Sequence, residues 1–427
     1  MAVPKEHEIV FLFDPLRHGT LGSKRRFLND LIAPTFVRSS AAWYVGRDGK
    51  LYRAATDVPR IEWFDLDSDG VYEYPALLTE PSRTNLVPWS DDLSQWTSSG
   101  TPTVTANAKQ AGELQLSLIG DDDTAAIEFK YISVTFTGDG VKSLLCYVAK
   151  GSSPATNGAF IKVRDTTASA DRLVAKITWS GTAPVVTMNT GTLLGTRKLA
   201  GDVYELRMQT VSVTAANAHR VEVLPAGFAG SETGDIYVGG VQVENANEPS
   251  SLIRTTGSTV TRSADQINWP FLVPPREMTI YVDFIELAKD PYGNPWRVVQ
   301  MGNTANASPR LIMYRLTNGS QLSCLHNPAL GNTVESVVTH TNAVLKRIEA
   351  LAVLYADGSV QISKREDGGT VTTGNRSAAA TLTSAWSDQL VHIGYVFAAV
   401  QALRSIKIAA GVSLRWTRWQ HYDPIGT

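Results

Sequence analysis

Residues 77–96 read LLTEPSRTNLVPWSDDLSQW, and the rest of the chain is read outward from them. Leu77 and Leu78 open an apolar run, but two prolines and short polar side chains then break both helical and strand periodicity. Thr84 and Asn85 are residue types that hydrogen-bond the backbone where a strand leaves a turn. Leu86 and Val87 would then enter the strand, with Pro88 at or near an edge. Glu80 and Arg83 are expected to pair across the turn. Trp89 and Trp96 leave two readings, a ligand platform or the seam where a domain begins. Turn-and-seam chemistry accounts for most of the residues, with Trp96 as a lid under the loop and Trp89 the surface aromatic.

Downstream, short β-branched or alternating runs recur: YISVTF (131–136), SLLCYVAK (143–150), LVAKITW (173–179), HRVEVL (219–224) and DIYVGGVQVE (235–244). They resume with MTIYVDFIEL (278–287), RIEALAVLYADGSVQISKRE (347–366) and LVHIGYV (390–396). Turn formers separate them, the spacing of a mainly β chain built from antiparallel sandwiches. Asp357-Gly358, flanked by alternating apolar residues, predicts a hairpin. One helix is expected early, in SKRRFLNDLIAP (23–34), with Ser23 as N-cap and Pro34 as stop. Its basic first turn opposes the helix dipole, leaving either a solvated face or an acidic partner for Lys24, Arg25 and Arg26. Residues 245–270, NANEPSSLIRTTGSTVTRSADQINWP, read as a connection between two halves.

The chain has 427 residues, 43% apolar and 19% charged, a globular balance that predicts two or three domains. A net charge of −2 gives no general field for nucleic acid or an anionic membrane. Two cysteines, Cys146 and Cys324, provide neither a disulfide framework nor a CxxC metal site. The first residues, MAVPKEHEIVFLFDP, lack secretory features, and no apolar run reaches the ~18 residues of a membrane span. The expectation is a soluble product of the cytoplasm, without membrane insertion.

Catalytic motifs are absent: there is no G-x-S-x-G, P-loop, dinucleotide fingerprint or H-E-x-x-H, and the expectation is a non-enzyme. Asp65, Asp67 and Asp69 stand at alternate positions before Gly70, a spacing that either binds Ca²⁺ or makes a solvated turn. Position twelve is Ala76 and not a bidentate glutamate. Saccharide binding needs aromatic faces beside short polar groups. Tyr292, Asn294 and Trp296 share one turn, and Trp386 precedes Ser387 and Asp388. These are candidates for glycan contact, the other reading being aromatics packed between sheets or subunits. Trp416 and Trp419, in RWTRW, are assigned to an oligomer contact.

Three segments taken in order resemble virion proteins of tailed bacteriophages, of the tail-fibre or minor structural type. The first is SSAAWYVGRDGKLYRAATDVPRIEWFD (39–65), the second the opening motif with Glu80, Arg83, Thr84, Asn85 and Leu86. The third is DIYVGGVQVENANEPSSLIRTTGSTVTRSAD (235–265), with Gly240, Gln242, Glu244 and the run from Thr259 to Asp265. The resemblance implies a jelly roll similar to carbohydrate-binding modules over residues 76–250, a linker over 251–268 and a concanavalin A-like or laminin-G-like sandwich over 269–427. Residues 1–75 would be a virion-attachment region with one helix and β-hairpins. Glu80, Arg83, Asn85, Gln242 and Glu244 would be structural motif residues. The implied function is a virion component of tail fibre, baseplate or capsid spike that adheres to host-surface polysaccharide. The alternatives are a purely structural role and, third, a glycan-degrading tailspike. The implied partners are other virion proteins and further copies of the chain, with a trimer favoured.

Overall fold

The computed structural model describes residues 9–13, 35–66, 69–227, 232–270, 278–286, 296–302, 310–315, 321–327, 333–339, 346–380, 390–393 and 401–410. The helix expected at 23–34 lies outside them, as do Asp67, Tyr292, Asn294, Trp386, Trp416 and Trp419. Among the described residues the protein is built of strands. Its one helical element there is the 3₁₀ turn Leu93–Gln95, capped by the Asp92 carboxylate accepting from the Ser94 N–H.

Two six-stranded antiparallel sheets enclose the middle of the chain. One runs Thr192–Leu199, Val203–Gln209, Ser143–Lys150, Gly234–Glu244, Leu114–Asp121, Thr103–Ala111; the other runs Ala183–Thr190, Ala170–Ser180, Ala159–Asp165, His219–Leu224, Phe129–Val134, Thr97–Ser99. Strand alternation sends Leu144, Cys146 and Val148 of the first toward Ile161, Val163 and Val221 of the second. Leu145, Tyr147 and Ala149 point the opposite way and are buried as well, because Trp43, Val45, Leu51, Tyr72 and Leu252 cover them. Burial on both faces is why SLLCYVAK is so continuously apolar. Each buried leucine or valine among them contributes about 1.5–3 kcal/mol on leaving water.

A second pair of sheets shares another core. An eight-stranded sheet is ordered Thr372–Thr373, Val360–Glu366, Lys346–Leu354, Met278–Glu286, Gln401–Ala410, Tyr74–Thr79, Arg60–Phe64, with Ile9–Phe13 also pairing to Gln401–Ala410. The seven-stranded sheet facing it is ordered Thr35–Val37, Gln266–Pro270, Leu390–Ile393, Trp296–Gly302, Arg310–Arg315, Gln321–Asn327, Val334–Thr339. Leu77, Ile280, Val282, Leu311, Met313 and Ile362 meet between them.

The first part of the chain therefore shares sheets with the last. Leu77 and Leu78 pair with Leu403 and Ala402, and Phe36 pairs with Ile267. Ala76, Leu77 and Leu78 are all buried, as an internal strand requires, whereas local reading had taken them for the entrance to the following domain.

The Asp357-Gly358 hairpin joins Lys346–Leu354 to Val360–Glu366 in the expected place. Gly358 has φ +78°, and a Cβ there would lie 1.7 Å from the Ala380 carbonyl oxygen. Cys146 and Cys324 are buried free thiols, and burial raises both far above the ordinary thiol range. No described helix is long and apolar enough to cross a membrane.

Two outcomes follow from this pairing. A fragment starting at residue 265 lacks four strands of its own two sheets, so it should be insoluble or unfolded by circular dichroism, and co-expression with residues 1–82 should restore solubility. Gly358→Ala should lower the unfolding free energy by at least ~1–3 kcal/mol in a urea titration, because it adds both a strained φ and a backbone clash.

Candidate functional site

The segment that opens the sequence reading forms the centre of a buried polar joint. Arg38, Arg60, Glu80 and Asp265 are 0% exposed and Arg262 is 1% exposed. Glu80 directly follows the Tyr74–Thr79 strand, Arg60 begins the strand beside it, and Arg262 ends the short Val260–Arg262 strand that pairs with Arg83–Asn85. Arg60 Nη1 donates to Glu80 Oε2 (2.9 Å), Ser251 Oγ (2.7 Å) and the Trp43 carbonyl (3.0 Å), and Arg60 Nη2 donates to Asp265 Oδ2. Arg38 Nη1 reaches Asp265 Oδ1 at 3.0 Å, while its Nη2 donates to the Ala55 and Val58 carbonyls. Arg262 Nη2 donates to the Pro81 carbonyl at 2.7 Å and lies 3.4 Å from Glu80.

Charges in such a place persist only when paired and hydrogen-bonded. Burial alone would push the Glu80 carboxyl up; Arg262, Arg60 and the hydrogen bonds from Ser251 outweigh it and hold the group well below the usual carboxylate range. Arg60 is pulled down by burial but raised further by Asp265 and Glu80. Burial lowers Arg38 and Arg262, and their carboxylate neighbours offset only part of it.

The pairing expected within the motif is not the one found. Glu80 takes Arg60 and Arg262, and Arg83 lies 3.8 Å from Glu244 at the partly exposed rim. The reason is long-range: Arg60 arrives on the neighbouring strand directly inside the sheet, and occupies the carboxylate that a local partner would use.

Asn85 satisfies its whole side-chain amide within the joint. Nδ2 donates to the Ile253 (2.8 Å) and Val241 (3.3 Å) carbonyls, and Oδ1 accepts from the Val87 (3.0 Å) and Val243 (3.2 Å) N–H groups. Gln242 accepts from the Ile253 N–H (2.5 Å) and donates to Glu244 Oε1 (2.7 Å). Glu244 receives the Ser250 hydroxyl (2.6 Å) and N–H (3.1 Å), and burial pushes its carboxyl up. Glu80, Asn85, Gln242 and Glu244 thus tie the 250–265 stretch down, and Leu252, Ile253, Thr255 and Asp265 are buried.

A second ionic group lies alongside. Arg197 bridges Glu62 (2.5 Å) and Glu205 (2.8 Å), and Tyr147 donates to Glu205 (3.0 Å). It ties the Arg60–Phe64 strand to the outer face of the first six-stranded sheet.

Trp96 is buried, its indole N–H donating to the Trp89 carbonyl at 2.8 Å. Trp89 is half-buried against the same core, and the site of a Cβ on Gly257 lies 3.2 Å from its ring. Asp65 accepts from the Asp69 (3.2 Å) and Gly70 (2.9 Å) N–H groups, and Asp69 from Val71 (2.7 Å), so both carboxylates act as turn acceptors. Trp296 begins the Trp296–Gly302 strand.

An open cleft of about 460 Å³ adjoins the joint. It lies between the hairpin Ala42–Val45 and Leu51–Ala54, the Glu113 turn and residues 252–262, and its walls include Ser40, Trp43, Arg53, Glu113, Arg254 and Arg262. Local sequence reading missed it together with Arg38, Arg60 and Arg53, because no short-range pattern marks arginines whose partners are far along the chain. No family model and no curated protein matches the chain.

Breaking a buried pair by truncation strands its partners, so Glu80→Ala should cost about 3–5 kcal/mol in chemical unfolding. The pH sign follows from the lowered carboxyl. Its stabilisation is complete above the ordinary glutamate value of about 4.3 and is lost as pH falls through the folded-state value below it. Acid titration of stability should show this loss in the native chain and a smaller one in Glu80→Gln.

Proposed function

We propose that this chain is a structural protein of a tailed-bacteriophage virion, built on two β-sandwiches, a jelly roll and a lectin-like sandwich. One observation carries the reading. The E-x-x-R-T-N-L segment (80–86), the G-x-Q-x-E segment (240–244) and the run from Thr259 to Asp265, far apart in sequence, converge in one buried joint through Glu80, Asn85, Gln242, Glu244, Arg262 and Asp265. A polar joint of this kind fixes how layers sit against each other, which suits a part that transmits position within a particle. In this reading the working form is a homo-oligomer, a trimer, bound to other virion proteins.

Adhesion to host-surface polysaccharide is the second reading, favoured by the cleft beside the joint. Weak contact at each copy would be multiplied by the number of copies. Glycan contact through Tyr292, Asn294, Trp296 and Trp386, an oligomer contact through Trp416 and Trp419, and Ca²⁺ at Asp65, Asp67 and Asp69 belong to the same proposal. The reading includes no catalytic step.

Immunogold electron microscopy of purified particles, with antibody raised to the full chain, should label one defined place on the virion. Absence of the chain from particles, judged by labelling and by mass spectrometry, sinks the virion reading.

A further inference from the structure

We infer that the cleft beside the buried joint binds an anionic sugar, a short saccharide carrying a carboxylate or a phosphate. This deepens the adhesion reading and rests on it for the choice of a sugar as the anion's carrier.

The charge balance points to an anion. At the centre of the joint three guanidiniums (Arg38, Arg60, Arg262) meet two carboxylates (Glu80, Asp265), all essentially without exposure. The neighbouring pairs, Arg83 with Glu244 and Arg254 with Asp91, are each neutral in sum. At the cleft wall itself three guanidiniums, Arg53, Arg254 and Arg262, stand against one carboxylate, Glu113. Arg262 forms part of both the joint and the cleft wall, so this field emerges in the cleft. Low-dielectric walls focus it there.

The wall chemistry points to a polyol. Arg254 is held in place by Asp91 Oδ2 (2.6 Å) and Gln115 Oε1 (2.9 Å), so an approaching anion meets a guanidinium that needs no further ordering. Arg53 is exposed on the hairpin, and its side chain makes no hydrogen bond or ion pair with the described residues. Hydroxyls of Ser40, Thr256 and Thr261 stand beside the exposed apolar surface of Val260, the mixture that ring C–H faces and ring hydroxyls require. A volume of about 460 Å³ suits a small ligand. Glu113 is the one carboxylate on the wall. It opposes an anion, and sets the affinity below what Arg53 and Arg254 alone would give.

Saturation-transfer NMR and calorimetry on the full chain test this with four probes: a glucuronate-containing disaccharide, glucose 6-phosphate, a neutral disaccharide and inorganic phosphate. Binding of either acidic sugar above the neutral one is expected, and the better of the two identifies carboxylate or phosphate as the preferred group. Arg53→Ala should weaken that binding about tenfold, as loss of a charge-assisted hydrogen bond does, and Glu113→Gln should strengthen it. Both residues are exposed, and unchanged thermal unfolding of each variant confirms the fold. Equal binding of acidic and neutral sugars, no binding at all, or indifference to Arg53→Ala overturns the proposal. Inorganic phosphate binding as tightly as the sugars overturns its saccharide part. Adsorption of particles carrying Arg53→Ala to host cells separates the two levels: unchanged adsorption with lost sugar binding sinks adhesion through this cleft and leaves the site itself standing.

Discussion

The constraint on which this structure depends is the need to neutralise Arg60 without water. Its guanidinium is enclosed, and the protein answers with Glu80, Asp265, the Ser251 hydroxyl and the Trp43 carbonyl. These four partners come from three separate stretches, so satisfying one side chain fixes where the first hairpin, the end of the Tyr74–Thr79 strand and the 250–265 connection must lie. Apolar burial supplies most of the driving force, but greasy surfaces slide at little cost. A guanidinium with directional bonds does not, and misregistry here would leave a buried ion unpaired.

The two ionic groups divide that task. The Arg60 group joins the eight-stranded sheet to the connection, and the Glu62–Arg197–Glu205 group joins the same edge strand to the outer face of the first six-stranded sheet. Arg60 and Glu62 lie two apart on one strand and therefore on one face of it. A single strand of five residues, Arg60–Phe64, thus speaks to both halves of the molecule.

Much of the β character was legible locally. The continuous apolar run in SLLCYVAK and the Asp-Gly turn at 357–358 each act over a few residues, and each appears where the pattern put it. The role of Asn85 as a backbone-bonding residue was legible for the same reason, since short polar side chains next to a turn seek nearby amides. What sequence could not supply was the identity of remote partners. Nothing in RIEWF says that Arg60 will face Glu80 and Asp265, and nothing in YPALLT says that its neighbour is a strand beginning at Gln401. The connection at 245–270 is poor in large apolar residues and so resembles a free linker, yet Asn85 donates to its Ile253 carbonyl while Gln242 and Glu244 accept from its Ile253 and Ser250 N–H groups. Polar anchoring leaves no hydropathy signature.

The shared sheets also set a timetable. A ribosome delivers the chain from its first residue, so Leu77 and Leu78 emerge long before Leu403 and Ala402, the residues they pair with. The middle pair of sheets is complete once Glu244 has appeared, and its own strands pair within that span. Tyr74–Thr79 can pair early with Arg60–Phe64, but its other edge stays open until Gln401–Ala410 is made. Long-range closure of this kind is slow and open to wrong association. Synthesis of Gln401–Ala410, and not the growth of the early part, is the event that lets these strands close their sheet.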